Sequence, residues 1–261
     1  MDAWARLFET AFRVHAMAPW KWMEETDIFG IQPPGATEPA FVSVMGAIGE
    51  HFAVAVYPSV AALRQFWEIQ LTSRDYQRPD LILETPQVQV IFGAAADLHP
   101  AEKKIIKALG RAPRGGNAWP RFRGYRPDYM PWFIEPGEDV LLLTALQQLL
   151  EFAPMVEQDP TPLSDRIGPD LPVLVRTPAG SDPTSAWQND HRSFSAEPVH
   201  LRVAIPEEMR DAFRRLSRTD LRVEVDAPIV PARIGGPGEG PSCPICSWPR
   251  IPPRISPSAL N

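Results

Sequence analysis

Cysteine is almost absent from this 261-residue chain: the only two, Cys243 and Cys246, stand close together near the C-terminus. They cannot build a disulfide framework, so stability has to come from a packed core, which a chain of this length supplies without staples. A closed structural zinc site needs four ligands, and this pair has neither a second pair nor a neighbouring histidine. The sequence therefore predicts no metal and no cofactor. Long apolar runs are missing as well: no stretch approaches the ~18 residues of a membrane span. The opening MDAWARLFETAF carries acids where a secretory signal is basic, which predicts a cytoplasmic protein with no membrane contact. Positive charge is in deficit, 26 Lys and Arg against 32 Asp and Glu for a formal −6, and that disfavours generic nucleic-acid binding. No GxxxxGK, no GxGxxG after a strand and no GxSxG occurs, so enzyme classes built on those motifs are unsupported.

What is present is ordinary globular usage, 44% hydrophobic and 22% charged, with an excess of proline, 31 residues, that implies many rigid turns. Asp2 caps a helix in which Trp4, Leu7, Phe8, Ala11 and Val14 recur at helical spacing. Ile28 to Gln32 reads as a short extended piece. Ala40 to Met45 and Phe52 to Tyr57 read as an antiparallel hairpin, with Gly46 and Gly49 freeing its connection. Val60 to Leu71 is a second helix. VQVIFG, residues 88–93, is strand-like, and Pro100 to Leu109 is a helix with proline at its start and Gly110 past its end. From Gly110 to Pro136 no period is sustained, which predicts a long structured loop. VLLLTALQQLLEF, Val140 to Phe152, is a buried helix, and Pro154 to Pro172 a connector.

A further unit follows. Val173 to Arg176 and Val199 to Ile205 read as strands, and a helix starts at Pro206 with acids first and Arg214 and Arg215 last. Met209, Ala212, Phe213 and Leu216 form its expected buried face, and Leu221 to Val225 is a last strand. The expected class is α+β: helices packed on small antiparallel or mixed sheets, with a C-terminal β-α-β unit. The expected segments are 1–78, 79–158, 170–228 and a tail of 229–261. From Ala227 onward, nine prolines and four glycines preclude a regular apolar face, so the tail is expected to be disordered. Two origins stay open for it, a genuine tail or an out-of-frame reading, because a two-base shift turns the stretch around Trp248 into an apolar run. An early stop in the shifted frame would remove the second.

Three strings, PWKWMEETDIFGIQ from Pro19, VMGAIGEHFAVAVY from Val44 and GNAWPRFRGYRPDYMPW from Gly116, resemble a family of bacterial proteins built from two adjacent domains of unknown function. The resemblance spans roughly the first 155 residues. It implies no activity, cofactor or substrate, and no catalytic residue is carried over.

Candidate sites are few. Arg111, Arg114, Arg121, Arg123 and Arg126 stand in one stretch with no acid between the first and the last, interleaved with Trp119, Phe122 and Tyr125. Guanidinium groups stack on aromatic rings and grip carboxylate or phosphate in bidentate fashion, so the set suits an anionic ligand. Arginines also seal loops onto acidic surfaces, and with acids in surplus that packing reading carries more weight. Glu50 and His51 are adjacent, which on a strand would point them to opposite faces, and Asp27 suits a turn or cap. Candidate binding residues are thus Arg114, Trp119, Arg121, Arg123, Arg126, Asp27 and His51, with no catalytic residue assigned. The expected role is a non-catalytic binding or interaction module whose partner is another protein or a small anionic ligand. The alternative is an enzyme acting on a phosphate- or carboxylate-bearing substrate, with Asp27, Glu50 or His51 beside the arginines. Convergence of these side chains with Arg121 or Arg123 on one pocket decides between them.

Overall fold

The amphipathic stripe at the N-terminus folds as its spacing predicts. Helix α1 (Asp2–Met17) buries Leu7, Phe8, Ala11 and Val14. The computed structural model describes residues 2–33, 35–72, 79–127, 129–163, 172–180, 186–194, 207–215, 224–226 and 248–250. A short 3-10 turn over Pro19–Lys21 leads to strand β1 (Phe29–Ile31), and β2 (Ala40–Met45) and β3 (Ala53–Tyr57) form the expected hairpin. Its turn needs glycine: Gly46 has φ +124°, and a Cβ there would lie 2.6 Å from the Phe52 ring. Helices α2 (Val60–Thr72) and α3 (Pro79–Glu84), strand β4 (Gln87–Gly93) and helix α4 (Pro100–Ala108) follow.

The expected loop between Gly110 and Pro136 contains a strand, β5 (Trp119–Tyr125), fully paired with β4 from Gln87↔Tyr125 to Gly93↔Trp119. Pro120 and Gly124 lower its strand propensity, which is why composition hid it. Its alternation is nevertheless regular, with Pro120, Phe122 and Gly124 buried and their neighbours half-buried. Phe122 packs edge-on against Phe8 at 4.8 Å, joining strand to α1.

Helix α5 (Glu138–Gln158) runs through Pro154 rather than ending before it, so the expected connector starts later. Ala153 and Val156 are buried on either side of that proline, and Trp22 Nε1 donates to the Ala153 carbonyl at 3.0 Å, holding the last turn in place. By length and composition α5 is apolar enough to cross a membrane. In this fold Leu142, Leu146, Leu149 and Phe152 face the sheet and α1 instead.

Strands β6 (Val173–Pro178) and β7 (Trp187–Arg192) complete a seven-stranded sheet in the order β5-β4-β3-β2-β1-β6-β7. All pairs are antiparallel except β1 with β6. The fold is α+β, with six helices and this mixed sheet among the described residues. β3 and β4 are hydrogen-bonded neighbours across residues 78 and 79, so the two N-terminal segments share one sheet. β6 likewise joins that sheet, parallel to β1. The polar strand β7 was not legible, because a strand with exposed faces carries no apolar alternation. Helix α6 (Glu207–Arg214) starts where expected, although Ala212, assigned to its buried face, is exposed. Strand β8 (Glu224–Asp226) pairs with β9 (Trp248–Arg250), three residues of the expected disordered tail. The expected strand over 199–205, Leu216, both cysteines and the rest of the tail lie outside the described residues.

Candidate functional site

Period-2 alternation sends the two faces of the sheet to different fates. Phe29, Val42, Val44, Val54, Val56, Val88, Val90 and Phe122 point into the core under α1 and α5. On the opposite face, Phe41, Ala55 and Tyr57 pack with Leu63, Phe66 and Trp67 of α2. Toward β4 and β5 the same face becomes polar: Gln87, Gln89 and Ile91 oppose Tyr125, Arg123 and Arg121. Two adjoining cavities of about 280 and 430 Å³ open there and share Glu25, Met45 and Ile82.

The floor of this cleft is set by an amide relay. Gln87 Nε2 donates to the Ile82 carbonyl at 3.1 Å, and Gln89 Nε2 donates to Gln87 Oε1 at 2.8 Å. A backbone carbonyl only accepts, so the relay has one direction and both amides are fixed by it. Gln89 Oε1 is left at its end, buried and without a hydrogen-bond partner, on a residue only 2% exposed. Such an orphan costs about 1–3 kcal/mol.

The walls are acidic and apolar. Glu25 is half-buried; burial pushes its carboxyl above the usual value, and a hydrogen bond with Gln70 offsets this in part. Tyr57 and Tyr125 hydroxyls are raised, chiefly by burial. Ile48, 85% exposed, and Ile82, 44% exposed, stand on the rim with Leu83. Glu50 and His51 both border the larger cavity, because they precede β3 in the hairpin connection and the strand alternation expected of them does not apply. His51 is exposed on the rim, yet partial desolvation of its ring, and next the charge of Arg121, hold its pKa below the usual value.

The other sequence candidates scatter. Asp27 accepts from the Glu24 amide at 2.7 Å as a turn cap. Trp119 packs against the core and Arg114 is exposed. Arg111 pairs with Glu9 and lies over the Phe12 ring. Arg123 pairs with Glu102 at 2.6 Å and stacks on Phe133, and Arg126 pairs with Glu138 at 2.7 Å. Arg121 differs: its Nε is buried without a hydrogen-bond partner. Of the expected set, His51 and Arg121 come together with Glu50, while Asp27, Arg114, Arg123 and Arg126 do not join them. Tyr125 stood among the aromatics of the arginine stretch, whereas Glu25, Gln89 and Tyr57 are not singled out by the sequence reading, although two glutamines alternating with valines in QVQV are a readable sign of a polar patch. A third cavity of about 450 Å³, lined by Arg13, Gln148, Glu151 and Trp187 among others, has its acid already paired with Arg176.

Glu25 makes a testable contribution to stability. Its folded pKa is raised above the ordinary 4.5, so the folded state binds more protons and stability falls as pH rises through that window. Glu25→Gln should remove this slope and stabilise the protein at pH 7, by about 1.4 kcal/mol for each unit of the raised pKa. Urea unfolding of both proteins at pH 4 and pH 7 checks it, with an unchanged or lower stability of the variant at pH 7 as the contrary result.

Fold and site together define a mixed-sheet α+β protein with a polar cleft on the half-open face of its sheet. The chain belongs to the family described as a domain of unknown function (DUF7309), whose model matches residues 4–168. That span ends before β6, so β6 and β7 extend the sheet from beyond the matched segment. No curated protein and no solved structure matches the chain.

Proposed function

We propose that this protein is a non-catalytic binding module whose ligand occupies the cleft formed by Glu25, Met45, Gln89 and Tyr125. One observation carries the reading: a buried glutamine among the residues that line the cavity is held in one orientation with its acceptor oxygen unpartnered. A folded protein keeps such a cost where a ligand relieves it. The apolar rim of Ile48, Ile82 and Leu83 suits the body of a small molecule. The arginine stretch supports an anion site poorly, since Arg111, Arg123 and Arg126 already have carboxylate partners.

A protein-observed NMR screen with a mixed library of small amines, amides, alcohols and carboxylates tests the reading. Shifts should concentrate on Met45, Gly46, the Gln89 side-chain amide and Tyr125; shifts spread over the surface, or none, would sink it. Gln89→Leu removes the orphaned oxygen but also the donor to Gln87 Oε1, so thermal stability should change little, and the shifts at Met45, Gly46 and Tyr125 should be abolished.

A catalytic reading keeps one observation in its favour, the unpartnered Arg121 Nε near a histidine held toward its neutral form. Turnover of carboxylate or phosphate esters by the wild type but not by His51→Ala would favour it.

A further inference from the structure

The chemistry of the lining restricts what the cleft accepts, and this inference rests on the binding reading above. Among the described residues that line the two cavities, Glu25 and Glu50 are carboxylates, and there is no lysine or arginine. Gln89 Oε1, at the end of the relay, can only accept. Beside Glu25 and Gln89 Oε1 an anionic head would meet like charge and an acceptor, and a purely apolar one would leave Gln89 Oε1 unsatisfied. A head that donates hydrogen bonds and carries positive charge answers both. Tyr57 and Tyr125 add aromatic rings to the same walls, which attract cations across their faces.

We infer that the cleft binds a small molecule with an apolar body and a primary ammonium head, the head donating to Glu25 and to Gln89 Oε1 and the body lying against Met45, Ile82 and Leu83. Glu25 is suited to the task because it has no cation of its own: its described side-chain contact is the Gln70 amide, and burial works against its charge. Bringing an ammonium beside it favours the ionised form. The arginine stretch, for which an anion site was the lesser of two readings, thus lies beside a site that selects the opposite sign.

Three ligands with one body and different heads test this: phenethylamine, phenethyl alcohol and hydrocinnamate, each titrated into the full chain by NMR and calorimetry. Phenethylamine should shift the Gln89 side-chain amide and Tyr125, the alcohol should bind roughly tenfold or more weakly, and hydrocinnamate should leave the cleft unchanged. Glu25→Gln should weaken phenethylamine by roughly tenfold or more while its melting temperature stays at or above that of the wild type, which separates lost binding from lost folding. Hydrocinnamate in the cleft with phenethylamine inert would overturn the ammonium class and leave the binding reading standing. Equal affinity for amine and alcohol would overturn it too, since charge would then count for nothing. If all three are inert the ammonium class falls, and the mixed library then decides separately whether the cleft binds anything.

Discussion

Replacing Glu102 by alanine should destabilise the protein by about 3–5 kcal/mol, the usual consequence of removing one partner from a buried ion pair. The Glu102 side chain is 6% exposed and that of Arg123 16%, with Arg123 Nη1 at 2.6 Å from Glu102 Oε1. The same guanidinium donates to the Phe122 carbonyl at 2.6 Å on the free edge of β5 and lies over the Phe133 ring at 5.0 Å. Glu102 also accepts from the His99 amide at 2.8 Å, closing the start of α4, so the alanine variant loses a helix cap as well. In a double-mutant cycle Glu102→Ala with Arg123→Ala should cost clearly less than the two singles added, because the second change removes the stranded charge. Urea unfolding reads all four proteins. A loss below about 1 kcal/mol for Glu102→Ala would mean a solvated pair, and would return Arg123 to the pool of anion-binding candidates.

Phe122→Ala should cost a similar amount, about 3–5 kcal/mol. Phe122 is 1% exposed and touches Phe8 at 4.8 Å and Trp4 at 5.9 Å between ring centres, so it joins the outermost strand to α1. Truncation leaves a cavity bounded by two rings and a sheet, which cannot collapse without moving α1. Phe122→Leu should recover part of the loss, since it keeps most of the apolar volume. Hydrogen exchange localises the effect: amides of β5 and the first half of α1 should lose protection before those of β2 and β3. Unchanged exchange in β5 would contradict the strand and restore a loop there.

The arginine stretch shows how far a sequence can be read. Five like charges without an acid between them signalled that carboxylates or anions had to come from elsewhere. Which of the two it would be depended on distant residues: Glu9 on α1 for Arg111, Glu102 on α4 for Arg123, and Glu135 and Glu138 for Arg126. Nothing local to the stretch names those partners. The cleft was hidden for the same reason. Glu25 lies in the turn before β1, tied to β2 by the Ser43 hydroxyl, while Gln89 and Tyr125 lie on β4 and β5, so only the pairing of the sheet brings the three to one cavity. The opposite-face argument against Glu50 and His51 holds only within a strand, and β3 begins after both of them, at Ala53.

Taken alone, the chain's residues settled α1, α2, the β2–β3 hairpin, α4 and α5, since each carries an apolar period long enough to mark its own buried side, and proline, glycine and acidic residues mark several of the ends. They also settled that no disulfide framework staples the fold, for two cysteines can form at most one bridge within the chain. Tertiary structure alone decided that β5 is a strand, that residues on both sides of 78 and 79 share one sheet, that β6 closes beside β1, and which arginine is left over. A periodic pattern reports the burial of one element, whereas pairing and charge satisfaction depend on neighbours brought in from far along the chain.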